Sequence, residues 1–131
     1  MKKLMKGLVF ASLLWNYPAK ALSHLRPKSE HHSVPISQLG YVSWYGRKFI
    51  GRRMSNGERF DPSRLTAASR ALPLGTRLKL FCGKTDKSVI VTVTDRGPIQ
   101  RKWLLDISEA AAVALGIREM GTALVRIEPV L

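Results

Sequence analysis

Short runs of alternating apolar and polar residues recur along this chain, and only one segment has clear helical character. Tyr41-Val42-Ser43-Trp44-Tyr45 is rich in β-branched and aromatic residues, ends at Gly46 and predicts a first strand. Thr76-Arg77-Leu78-Lys79-Leu80-Phe81 alternates polar and apolar, as a half-buried strand does. Ser88-Val89-Ile90-Val91-Thr92-Val93-Thr94 is more continuously apolar and predicts a more central strand, joined to its predecessor by a hairpin over 83–87. Residues 103–107 read as a short extended piece and 122–128 as a closing strand. Residues 108–116 predict the one firm helix: Ser108 caps it, Glu109 suits its positive end, alanines fill it and Gly116 ends it. Residues 65–72 predict one or two further helical turns before Pro73. Between the first strand and that segment, residues 47–62 form a long loop. It holds Gly51, Asn56-Gly57 and Asp61-Pro62 as turn signals, and Phe49, Ile50, Met54 and Phe60 as groups able to pack down. Strands separated by long, unequal loops predict a mainly β fold, a small barrel with one short helix.

The chain has 131 residues, enough for one domain. Lys2, Lys3 and Lys6, an apolar run over 7–15 and Ala19-Lys20-Ala21 together predict a signal peptide over 1–21. The run is shorter than the about 20 residues a membrane-spanning helix needs, although an uncleaved anchor is the alternative. With no cysteine following the run, the segment is not that of a lipoprotein. Residues 22–38 are polar, broken by Pro27 and Pro35, and read as a flexible linker; 39–131 then form the domain. His24, His31 and His32 all fall in the linker, without metal-ligand spacing, so no metal site and no cofactor is expected.

Charge narrows the partners. The formal net charge is +13; removing the leader leaves 18 basic against 9 acidic residues, or +9. Such a surface suits polyanionic surroundings. Export and scattered basic residues argue against nucleic acid and for an anionic cell-wall polymer. Cys82 is the single cysteine, so no internal disulfide forms, and its place after Leu80-Phe81 predicts burial.

Candidate chemistry gathers at Thr94-Asp95-Arg96-Gly97-Pro98, where a carboxylate and a guanidinium close the most strand-like run. The pentad is either a surface ion pair worth under about 1 kcal/mol or part of a site on a rigid strand end. Setting aside Glu30 in the linker, Asp61 on its turn before Pro62, Asp86 at the hairpin tip, Glu109 and Glu119 at or past the helix, and Glu128 on the last strand leaves Glu58, Asp95 and Asp106. Asp106 reads either as a buried, hydrogen-bonded carboxylate or as a site residue.

Several motifs in order then resemble one family. Ser43-Trp44-Tyr45-Gly46, Asn56-Gly57-Glu58-Arg59-Phe60, Leu65-Thr66-Ala67-Ala68, Leu72-Pro73-Leu74-Gly75-Thr76, residues 91–98 and Leu105-Asp106-Ile107-Ser108 resemble the rare lipoprotein A (RlpA-like) lytic transglycosylases, and more distantly the expansins. The resemblance implies a six-stranded double-psi β-barrel in the periplasm or cell envelope. It also implies that peptidoglycan glycan strands are cleaved between N-acetylmuramic acid and N-acetylglucosamine, leaving 1,6-anhydro ends. It points to Asp95 as general acid/base and Glu58 as partner or orienting carboxylate, with Tyr45, Trp44, Asn56, Ser69, Arg96 and Asp106 as substrate-binding candidates. A monomer is expected.

One departure matters. Active relatives usually carry His where this chain has Ser69, and serine cannot carry a proton near neutral pH. The alternative is therefore a non-catalytic, expansin-like module that binds wall polysaccharide. An aspartic-protease reading of Asp95-Arg96-Gly97 is disfavoured, because that chemistry needs two such turns with a small hydroxyl residue inside.

Overall fold

The computed structural model describes residues 37–130. The signal-peptide and linker readings therefore fall outside the described residues, except at Ser37 and Gln38. Gln38, assigned to the linker, opens the first strand and pairs with Ile127.

Six strands close into a barrel: β1 (Gln38–Trp44), β2 (Thr66–Ala68), β3 (Arg77–Cys82), β4 (Lys87–Asp95), β5 (Leu105–Ile107) and β6 (Thr122–Pro129). Around the barrel the order is β1-β5-β2-β4-β3-β6, with β1/β5 and β2/β4 parallel and the other neighbours antiparallel. The alternation read from the sequence sets the interior. Leu78, Leu80 and Cys82 of β3, Val89, Val91 and Val93 of β4, and Ala123, Val125 and Ile127 of β6 all point into one core. Cys82 is buried and unpaired, as its neighbours predict.

Helix α1 (Glu109–Ala114) packs its small buried face, Ala111 and Ala112, onto the barrel. The Ser108 hydroxyl caps it by accepting from the Ala111 amide at 3.2 Å. Gly116, at φ 69°, supplies the left-handed residue that ends it. At Gly40 the requirement is closeness: a β-carbon there would come within 2.5 Å of the Leu104 side chain packed across β1.

The expected helical turns at 65–72 are instead β2, and this is the one element predicted with the wrong type. All three of its residues are buried, so no alternation marks them, and two are alanine. Its neighbours on both sides decide: Thr92 donates to the Leu65 carbonyl, Ser108 to that of Thr66, and Ser69 to that of Asp95. Tertiary pairing overrides alanine's helical preference.

Candidate active site

The register of four strands assembles a row of side chains at one end of the barrel. Ala68 of β2 pairs with Asp95 of β4 on one side and with Asp106 of β5 on the other, and Asp106 pairs with Ser43 of β1. Asp95 and Asp106 thus lie two strand spacings apart, about 9.6 Å between backbones, with only an alanine between them. A shift in register makes this possible. Ala67 faces Val93, yet Ala68 faces Asp95 rather than Thr94. Such an irregularity re-aims a side chain at a strand end.

Both carboxyl groups open into one groove of about 320 Å³, together with Ser43, Tyr45, Phe49, Gln100 and Trp103. Asp95 Oδ1 accepts from the Ser55 hydroxyl at 2.8 Å, the Ser55 amide at 3.0 Å and the Arg96 amide at 2.8 Å. The Tyr45 hydroxyl lies 3.4 Å from its Oδ2. Burial, and then the charges of Asp95 and Asp106, raise the Tyr45 pKa, so the phenol keeps its proton and acts as a donor. Burial likewise raises the pKa of Asp106, against a 3.0 Å hydrogen bond from the Ser43 hydroxyl that favours the ionised form. The groove thus holds one carboxylate fixed by donors and one carboxyl whose surroundings favour the proton.

Glu58 does not share this groove. It lines a neighbouring hollow with Asn56, Arg64, Thr66 and Thr94, and its carboxylate lies 3.5 Å from Arg64 with both side chains largely exposed. Asn56 takes part in the turn, its Oδ1 accepting from the Glu58 amide at 3.0 Å. The turn lies over the end of β4, where the Asn56 amide donates to the Thr94 carbonyl and Ser55 holds Asp95. Ser55 and Asn56 therefore form the ridge between groove and hollow. The two carboxylates paired by sequence reasoning occupy opposite sides of that ridge, and the partner sharing a groove with Asp95 is Asp106.

Two other candidates, Ser69 and Trp44, are placed away from the groove, and a third, Arg96, turns its guanidinium away from the carboxyls. Ser69 is buried, and its hydroxyl accepts from the Leu72 and Ala71 amides at 3.1 and 3.3 Å, closing the turn after β2. Trp44 packs against the core and donates its indole N–H to the Arg118 carbonyl at 3.2 Å, on the face of β1 that carries Val42. That parity was available in the sequence, since Val42 and Trp44 lie two apart on a strand. Arg96 lines the groove with its backbone in the Asp95 turn, but its guanidinium donates to the Ser69 and Leu72 carbonyls rather than to a carboxylate.

The groove's far wall runs over residues 97–103, and sequence reasoning passed over 99–102 within it. One guanidinium holds it: Arg70 donates to the carbonyls of Pro98 at 2.6 Å and Trp103 at 2.9 Å, and reaches those of Gln100 and Arg101 at 3.4 Å. Arg96 and Arg70 thus clasp the two loops reciprocally. The Trp103 indole donates to Gln100 Oε1 at 3.1 Å. Cations flank both aromatic walls, Lys48 and Arg52 over Phe49 and Lys102 over Trp103, all within 5.6 Å of the ring centroids. Among the described residues no group of His, Cys, Asp and Glu could hold a metal, and no helix is long and apolar enough to cross a membrane.

Comparison with known proteins places this geometry. The profile of the lytic transglycolase family matches residues 37–127. An endolytic peptidoglycan transglycosylase RlpA of Neisseria meningitidis is 45% identical over 95 residues, covering 72% of this chain and 40% of the relative. A probable enzyme of the same name from Nostoc is 43% identical over 104 residues, covering 78% of this chain and 28% of the relative. The chain therefore spans well under half the length of these relatives. Among solved structures, a mutant expansin of Clavibacter michiganensis in complex with cellohexaose superposes with a TM-score of 0.59 at 20% identity, covering 73% of this chain and 51% of the other. A Streptomyces papain inhibitor gives 0.58, also at 20% identity, covering 74% and 98%. These structural likenesses concern the fold alone.

Proposed function

This chain belongs to the lytic transglycolase family, in its RlpA-like branch of double-psi β-barrels, and from that premise we propose that it cleaves peptidoglycan glycan strands without water. The bond broken is the one between N-acetylmuramic acid and N-acetylglucosamine, and the product carries a 1,6-anhydro end. The observation that supports this best is the pair Asp95 and Asp106, brought to one open groove on either side of Ala68.

The step needs a proton delivered to the leaving oxygen and one removed from the attacking hydroxyl. Asp106, whose burial favours the protonated form, donates to the glycosidic oxygen as the C1–O bond breaks. The sugar's own C6 hydroxyl closes on C1, and its proton passes to Asp95, which the donors on Oδ1 hold in place. Solvent returns the proton from Asp95 to Asp106 between turnovers. Tyr45, protonated between the two carboxyls, steadies the charge that moves between them. Glu58 and Asn56 take a flanking sugar from the hollow across the Ser55 ridge, so Glu58→Gln lowers kcat/KM. Trp103 and Phe49 offer aromatic surface to sugar faces.

Relatives named for peptidoglycan support action at the cell wall; export and a monomeric state belong to the same proposal. The test is direct. Purified sacculi, with and without stem peptides, are incubated with the protein and the products read by mass spectrometry. Anhydro-muramyl ends are expected. Binding to sacculi with no such ends above an Asp95→Asn control would instead favour the non-catalytic, expansin-like module.

A further inference from the structure

The outward row of β1 does not stop at the groove. Ser43 and Tyr45 line the groove, and two and four positions earlier on the same face come Tyr41 and Leu39. These two line a second hollow, about 490 Å³, on the outer face of β1, β6 and β3. Register builds its floor in cross-strand rows: Tyr41 faces Leu124, while Leu39 faces Arg126, which in turn faces Phe81. Tyr41 and Leu39 are more than half exposed, and Leu124 is nearly so. The two concavities meet at an aromatic pair, with the Tyr41 ring edge-on to Trp103 at 6.5 Å between centroids. From Leu39 to Tyr45 the row runs about 20 Å along the strand.

We propose that this hollow is a distal subsite for the same anionic glycan strand, occupied by sugars several units from the scissile bond. The inference rests on the glycan-cleaving reading above. Continuity is the first argument, since a strand leaving the groove past Trp103 meets Tyr41 next. Chemistry is the second. The hollow combines aromatic and aliphatic surface for sugar C–H faces with Lys84 and Arg126 for muramyl carboxylates. Arg126 lies over the Phe81 ring at 5.0 Å and gives its Nε to Glu128 at 2.8 Å, so its terminal nitrogens are what it offers to a ligand. The consequence is tighter binding of long strands than of short ones.

Peptide-free tetra- and octasaccharides of alternating N-acetylglucosamine and N-acetylmuramic acid test this, titrated into the Asp95→Asn protein so that neither is cleaved. The octasaccharide is expected to bind about tenfold more tightly, an advantage that shrinks with added salt and shifts the Leu124 and Phe81 amide resonances. Tyr41→Ala and Arg126→Glu each abolish the advantage and leave tetrasaccharide affinity within about twofold. Arg126→Glu is the decisive variant, because it does not touch Trp103. Equal affinity for both lengths, while the wild-type protein cleaves sacculi, overturns the distal subsite alone. Binding of neither overturns the glycan reading and the subsite with it. A dimer in light scattering that Leu124→Glu dissolves would assign the hollow to a second copy of the chain and overturn the proposal.

Discussion

Asp95 and Asp106 stand in one cross-strand row, each paired with Ala68, although they lie on strands with no direct hydrogen bonds between them. The short strand β2 and its register shift are what bring the two carboxyls to the same groove. If they divide a single proton relay, losing either stops the cycle. Asp95→Asn and Asp106→Asn are each expected to lower kcat by about 10²–10⁴-fold. The double variant should fall little further, because groups acting as a unit are not additive. Release of anhydro-muramyl products from sacculi measures this. Fully multiplicative losses would show that the two act independently.

Asp106 also carries a cost to the fold that pH exposes. Its folded pKa lies above the ordinary 3.8 because burial disfavours the charge. A raised carboxyl pKa means that the folded state holds its proton more tightly than the unfolded chain does. The stabilising contribution is therefore complete below about pH 3.8 and is lost as pH rises through the folded value. Asp106→Asn, which can still accept from Ser43, should melt higher than wild type at pH 7, with the gap closing toward pH 3. Thermal melts across that range decide it. A variant less stable than wild type at pH 7 would contradict the burial argument.

Arg70 binds four carbonyls of the 98–103 wall, and no single lysine nitrogen can do the same. Arg70→Lys and Arg70→Ala are both expected to loosen the wall that carries Trp103 and Gln100. Substrate binding should suffer more than chemistry, with KM rising about tenfold and kcat within about threefold. The Trp103 indole N–H, held on Gln100, should exchange faster in both variants. Unchanged KM and exchange would reduce Arg70 to a surface cation.

Strands with one wet face announce themselves: Leu78, Leu80 and Cys82 alternate with Arg77 and Lys79, and β3 was legible. β2 was not, because a strand buried on all sides has no alternation, and Thr66-Ala67-Ala68 favours no strand by itself. Asp95 stood out because it ends a strand at a Gly-Pro turn. Asp106 was also among the candidate carboxylates, but its place beside Asp95 was not legible, because the Asp95–Ala68–Asp106 row exists only once a non-sequential strand is inserted between β4 and β5. Arg70 escaped for another reason. A guanidinium that binds backbone carbonyls leaves no pattern in the residues whose carbonyls it binds.

Ser69 gives the last prediction, and it separates stability from turnover. In the resemblance drawn from sequence, this position raised doubt about activity because relatives carry His there. In the structure its hydroxyl faces the Ala71 and Leu72 amides, 3% of the residue is exposed, and it lies outside the Asp95–Asp106 groove. Ser69→Ala removes the acceptor for both amides, which should destabilise the fold by about 1–2 kcal/mol. The carbonyl that receives Arg96 is backbone and survives the change. Denaturant midpoints should therefore fall while kcat on sacculi, measured well below the transition, stays within about twofold. A large drop in kcat with unchanged stability would return Ser69 to the catalytic machinery and require its side chain to turn toward the groove when glycan binds.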